Sequence, residues 1–142
     1  MPRGYRFLEH MSDVYVEAYG GSLEEAFAQA GLALFRTIIP EAEGAARSVE
    51  VEAEGDDLQQ LLYNWLEKLL LVFEMEQLVG TDVVVEAVER AGDGYRIRGR
   101  VVGVDYDPAR HKTGTAVKSP TYWRMEIQEG DVGVVLRYVL DI

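Results

Sequence analysis

Phe7-Leu8-Glu9-His10-Met11-Ser12-Asp13-Val14-Tyr15-Val16 carries two short apolar runs around a polar centre. Val14, Val16 and Ala18 alternate with Tyr15, Glu17 and Tyr19. A period of two sends successive side chains to opposite faces, so the run predicts a half-buried strand from Val14 onward. Tyr5 and Phe7 read as the inward positions of a preceding strand. His10 and Asp13 then fall in the turn between the two strands, because their side chains are too costly to bury unpaired. A polar turn held between rigid strands is well placed for chemistry. The same residues also suit a plain Asx turn, in which the Asp13 carboxylate accepts nearby backbone N–H groups.

The pattern continues outward from that strand. Gly20-Gly21 turns the chain, and Ser22-Leu23-Glu24-Glu25 is a capping box in which Ser22 caps and Glu25 reaches back. Leu23, Phe27, Ala30, Leu34, Phe35 and Ile38 follow at helical spacing, and Pro40 stops the helix near Ile39. Val49, Val51 and Ala53 mark a third strand. Gly55-Asp56-Asp57 ends it and starts a second helix, with Asp56 as the cap and Gln59 three residues later. Leu58, Leu61, Leu62, Trp65, Leu66, Leu69, Leu70 and Phe73 cover about half of that helix's circumference, which makes it a core helix against a sheet. Glu67 and Lys68 interrupt the run, which is too short and too charged to span a membrane.

Val83, Val85 and Ala87 form a further strand, and Gly92-Asp93-Gly94 turns it back into Tyr95, Ile97 and Gly99 through Val104. From Asp105 to Val117 the periodicity is lost, and a loop of that length in a compact domain is usually functional or mobile. Tyr122, Arg124, Glu126 and Val132 through Leu140 supply the closing strands. The expectation is one domain over residues 1–142 of class α+β. It has a mostly antiparallel sheet of about seven strands, with two helices packed on one side.

With 142 residues, 48% of them hydrophobic, the chain is long enough for one well-packed core. The absence of cysteine excludes disulfides, thiol catalysis and Cys-ligated zinc. Met1-Pro2-Arg3-Gly4-Tyr5 is not followed by an apolar signal region, so a cytoplasmic protein is expected. The formal net charge is −11. Nucleic-acid binders need basic faces to displace counterions, so little direct nucleic-acid binding is expected, and cations or basic proteins are the better-matched partners.

The far end of the chain matters to Asp13. Val132, Val134, Leu136, Tyr138 and Leu140 keep strand character almost to Asp141 and Ile142. If that strand docks beside Asp13, the carboxylates of Asp13, Asp141 and the Ile142 terminus share one small volume. Two like charges at ~4 Å repel by about 4 kcal/mol at an effective dielectric near 20. A domain with roughly 5–15 kcal/mol of net stability calls for a held proton or a bound cation there. Carboxylate oxygens are hard ligands that suit Ca²⁺, Mg²⁺ or Mn²⁺ better than Zn²⁺. His10 would add a nitrogen or orient a ligand, and Lys118 is an alternative counter-charge.

Taken together, these residues resemble the archease family of small acidic proteins that assist RNA ligation. The likeness rests on Glu9-His10-Met11-Ser12-Asp13, on Gly20 with the Ser22-Leu23 helix start, and on Tyr106-Asp107 with His111. It continues in Lys118 followed by Thr121-Tyr122 and in the terminal Leu140-Asp141-Ile142. Trp123 stands where the family usually carries a histidine.

The resemblance implies an accessory activator rather than a stand-alone catalyst. Its partner would be a GTP- and Mn²⁺-dependent RNA ligase of the RtcB type in tRNA splicing, whose guanylylation and multiple turnover it promotes. It also implies a metal site of Asp13, Asp141 and Ile142, with His10, Lys118, Asp107 and His111 as further functional polar residues, and a sandwich- or barrel-like sheet with helices at its side. Some members of the family are described as chaperones for RNA-modifying enzymes such as a tRNA methyltransferase. From the residues themselves, two other classes stand beside this one. One is a metal-dependent hydrolase with His10 or His111 as base, for which no phosphate-cradling loop is present. The other is a binding module or chaperone using an exposed apolar patch.

Overall fold

The computed structural model describes residues 2–9 and 12–142. Its elements run β1 (Gly4–Leu8), β2 (Val14–Gly20), α1 (Leu23–Ile38), β3 (Arg47–Gly55), α2 (Leu58–Glu76), β4 (Leu78–Ala91), β5 (Gly94–Asp105), β6 (Ser119–Gly130) and β7 (Gly133–Asp141). Local chemistry sets the helix starts. Ser22 Oγ accepts from Glu25 N at 3.2 Å while the Glu25 carboxylate accepts from Gly21 N at 3.1 Å. In α2 the cap is Asp57, not Asp56. Asp57 Oδ1 accepts from Gln60 N at 2.8 Å, and Gln60 Oε1 accepts from Asp56 N at 2.6 Å. The sequence offers Asp56/Gln59 and Asp57/Gln60 at the same spacing, and the structure uses the second pair.

The strands form two antiparallel sheets, one of order β1-β2-β7-β6 and one of order β3-β5-β4. Helix α1 packs on β2 and β4, and α2 on β3 and β6, so the helices lie on one face of each sheet. This apolar layer is built from Val16, Phe27, Phe35, Leu62, Trp65, Leu69, Ile97, Val101, Leu136 and Tyr138, all essentially inaccessible to solvent. Two buried polar tips find partners inside it: Tyr138 Oη donates to Ala30 O at 2.6 Å and Trp65 Nε1 to Phe27 O at 3.1 Å. Gly31 lets α1 approach both neighbours, since a Cβ there would stand 2.6 Å from Leu69 Cδ1 and 3.2 Å from Val83 Cγ1.

The outer faces are charged. Across the four-stranded sheet Arg6, Glu17, Arg137 and Glu126 stand side by side in register. Phe7, expected to point inward, is 51% exposed, because β1 is an edge strand with a neighbour on one side only. Strand β6 is irregular. Thr121 pairs with Val139 and Glu126 with Arg137, so Tyr122 to Met125 stand opposite Tyr138 alone. Arg124 in this bulge has φ of 57°, in the left-handed region. Its guanidinium lies 4.8 Å from the Trp123 ring centroid and 5.9 Å from that of Tyr15.

Candidate functional site

The antiparallel register places the start of β2 beside the end of β7. Val14 pairs with Leu140, so Asp13 and Asp141 are the residues next beyond the last paired position of these two strands. On the other side of β7, Asp141 pairs with Ser119, and Lys118 N donates to Asp141 O at 2.8 Å. The start of β2, the end of β7 and the start of β6 thus meet at one end of one sheet. Asp13 and Asp141 are half-buried, and Ile142 is 38% exposed.

Among the described residues no Lys or Arg nitrogen lies within 4.0 Å of either aspartate side chain, so Lys118 does not neutralise them. The Asx-turn bond that Asp13 could have made is likewise absent among the described residues. His10 lies outside the described residues. No trio of His, Asp and Glu side chains gathers for a metal among those that are described. The acidic side chains at this end of the sheet are those of Asp13 and Asp141.

Asp13 also lines a cavity of about 400 Å³ with Leu8, Tyr15, Arg36, Thr37 and Thr115. One wall comes from the loop between β5 and β6, which Gly114 N and Thr115 N fasten to the end of α1 through Ile38 O and Thr37 O at 2.8 and 2.9 Å. Arg36 donates to Ala42 O at 3.1 Å and supplies the basic group at the cavity wall. Sequence reading passed over Arg36 and Thr37, because polar residues near a helix end signal solvent unless the loop that covers them is known.

Asp107 and His111 are brought to each other instead. Asp107 N donates to His111 Nδ1 at 2.9 Å, Ala109 N donates to Asp107 Oδ1 at 3.0 Å, and the His111 ring stacks on Tyr106. Both line a separate hollow of about 340 Å³ that shares no residue with the Asp13 cavity. A further hollow, of about 430 Å³, lies where α2 begins, against the cap residues Asp56 and Gln60 and the β4–β5 turn.

These features define a class: an α+β protein of two antiparallel sheets around a helix pair, with an acidic tip where its first turn meets its last strand. The chain belongs to the archease protein family (MTH1598/TM1083), which matches residues 5–142. It is 42% identical over 144 residues to the protein archease of Pyrobaculum calidifontis, covering 99% of this chain and 97% of that one. To the archease of Pyrococcus abyssi it is 40% identical over 122 residues, 85% of each chain. The solution structure of Methanobacterium thermoautotrophicum protein 1598 superposes with a TM-score of 0.83 at 31% identity, covering 98% and 99% of the two chains. A crystal structure from Thermotoga maritima, described as an archease and possible chaperone, shares the fold with a TM-score of 0.59 at 17% identity over 95% and 94%.

Proposed function

We propose that this chain is an accessory activator of a GTP- and Mn²⁺-dependent RNA ligase of the RtcB type, acting in tRNA splicing through its acidic tip. The observation that carries the reading is the register Val14↔Leu140 together with the Lys118–Asp141 backbone bond, which gathers three chain segments at one sheet end. The tip suits a hard divalent cation: its donors are carboxylate oxygens, and the two aspartate side chains have no basic partner among the described residues. Asp13, Asp141 and the Ile142 carboxylate would hold Ca²⁺, Mg²⁺ or Mn²⁺. Held there, such a cation would offer positive charge to phosphate oxygens of the ligase's nucleotide. Lys118 is tied to Asp141 through the backbone and fixes the β6 side of the tip, and His10 is the candidate orienting group. Asp107 and His111 hold the long loop in shape. The net charge of −11 draws the molecule to a basic protein surface rather than to RNA.

The reading places the protein in the cytoplasm and makes it a protein cofactor with no reaction of its own. Among the described residues no helix is long and apolar enough to cross a membrane. A second reading is a chaperone, a role the Thermotoga protein's description names as possible for that protein; RNA-modifying enzymes such as a tRNA methyltransferase are the clients the family resemblance implies. Ligase turnover separates the two. Wild-type chain should stimulate sealing by an RtcB-type ligase beyond the first turnover, and Asp13→Ala or a chain lacking Ile142 should not. Equal stimulation by all three rejects the activator role of the tip, and suppressed aggregation of a methyltransferase by all three would support the chaperone.

A further inference from the structure

Strand β3 is an edge of the three-stranded sheet, and its free edge is left open along part of its length. In an antiparallel strand the N–H and C=O of one residue point to the same side, and successive residues alternate. Asn64 Nδ2 of α2 donates to Glu54 O at 2.7 Å, which marks Glu54 as facing away from β5. The register of β3 with β5 is unbroken, so Glu50 and Glu52 present their backbone groups to that same edge. Among the described residues nothing accepts from or donates to them there.

Beside this stretch lies a groove of about 260 Å³ between β3 and α2. Its floor is apolar, with Val51, Val72, Leu71 and Met75, and the last two are 40% and 74% exposed. Its rim is acidic: Glu50, Glu52 and Glu76 against Lys68.

The rim carboxylates lack the partners that the sheet register offers. Arg98 and Arg100 stand opposite Glu52 and Glu50, yet both turn to Glu86 on β4, at 3.7 and 3.0 Å. Glu50 and Glu52 have no basic group within 4.0 Å among the described residues. The last turn of α2 carries Glu74 and Glu76 and no basic residue, at the negative end of the helix dipole. Arg47 meets Glu76 chiefly through the backbone, donating to Glu76 O at 2.6 Å while its carboxylate stands 3.9 Å away.

We propose that the free edge of β3 is a docking site for an extended basic segment of a partner protein, which adds to the three-stranded sheet as a fourth strand. Backbone groups of Glu50 and Glu52 pair with it. Because strand side chains alternate, its apolar residues fall on Leu71 and the adaptable Met75, and its lysines or arginines fall on the unpaired glutamates. No residue of this site belongs to the acidic tip, so the two stand or fall separately.

The probe is a capped, fluorescein-labelled octapeptide of alternating lysine and valine, titrated into the full chain by anisotropy and by amide NMR. An isomer with its lysines grouped at one end is the control for general attraction to an acidic protein. The alternating peptide should bind, shift the amides of residues 49–53 and 71–76, and outcompete the grouped isomer. Glu50→Gln/Glu52→Gln should weaken it by at least about tenfold, through lost charge pairing. Glu52→Pro removes one edge N–H without touching the β5 ladder and should weaken it as well. Should Glu52→Pro disturb the fold, the double glutamine variant decides alone. Asp13→Asn should leave binding unchanged. Equal affinity for the grouped isomer, full affinity in the double glutamine variant, or shifts confined to the tip would each overturn the proposal.

Discussion

Arg137 and Glu17 meet across 120 positions of sequence, with Arg137 Nε donating to Glu17 Oε2 at 2.9 Å. Arg6 Nε closes on the other oxygen at 2.6 Å. One nearly buried carboxylate, its side chain 9% exposed, thereby fastens β1 and β7 to β2. That clamp holds the strands whose ends make the tip. Glu17→Gln keeps the shape and loses the charge, and it should lower unfolding free energy by about 1–3 kcal/mol, measured by urea denaturation.

The same carboxylate makes stability depend on acid. The hydrogen bond from Arg6 holds Glu17 below its ordinary range; burial opposes this, and Arg137 adds to the lowering. The unfolded chain therefore binds more protons than the folded one in this window. The stabilisation is complete above the unfolded value near about 4.3 and is lost as pH falls through the lower folded value. Thermal melts between about pH 3 and pH 5 should fall more steeply with acid for wild type than for Glu17→Gln.

Tyr138 is fully buried, and its hydroxyl joins β7 to α1 through Ala30 O. Tyr138→Phe should cost about 0.5–1.5 kcal/mol in chemical denaturation. Burial also pushes the phenol far above its ordinary range. Its neutral form is favoured by folding, so this contribution is complete below about pH 10 and is lost as pH rises beyond it. In a spectrophotometric titration Tyr138 should ionise only together with alkaline unfolding.

Arg124 occupies a left-handed conformation that costs a non-glycine residue about 1 kcal/mol. Arg124→Gly and Arg124→Ala both lose the guanidinium stacked near Trp123 and Tyr15, and only glycine removes the backbone strain. The glycine variant should therefore be the more stable of the two, by about 1 kcal/mol in denaturant. Equal midpoints would mean that the backbone relaxes away from this conformation.

What the sequence made legible was local. Alternation around Val14 to Tyr19 located β2 but not its burial, since Tyr15 and Glu17 on the other face are buried as well; the Ser22/Glu25 box fixed the start of α1, and the apolar face around Trp65 fixed α2 as a core helix. Asp56 was chosen as the cap of α2 where Asp57 takes that role, since each has a glutamine three residues on. The division into two sheets was not readable, because period-2 alternation states which face is buried and not which strand is the neighbour. The β6 bulge was hidden for a related reason: Tyr122, Arg124 and Glu126 alternate as a regular strand would, and only the partner β7 shows three extra residues. Asp13 and Asp141 were picked out by charge cost and by the family resemblance, and the register Val14↔Leu140 brings their strand ends to the same end of one sheet. Arg36 and the open edge at Glu50 and Glu52 depend on what a loop or an arginine does elsewhere in the chain.

The tip is tested most directly by Mn²⁺ titration of the isolated chain, followed by electron paramagnetic resonance of the free ion. Wild type should take up a single Mn²⁺. Asp13→Ala, and a chain extended past Ile142 so that its terminal carboxylate becomes an amide, should each bind at least about tenfold more weakly. Uptake of Mn²⁺ with the same affinity by all three chains would contradict a cation held between the first turn and the last strand.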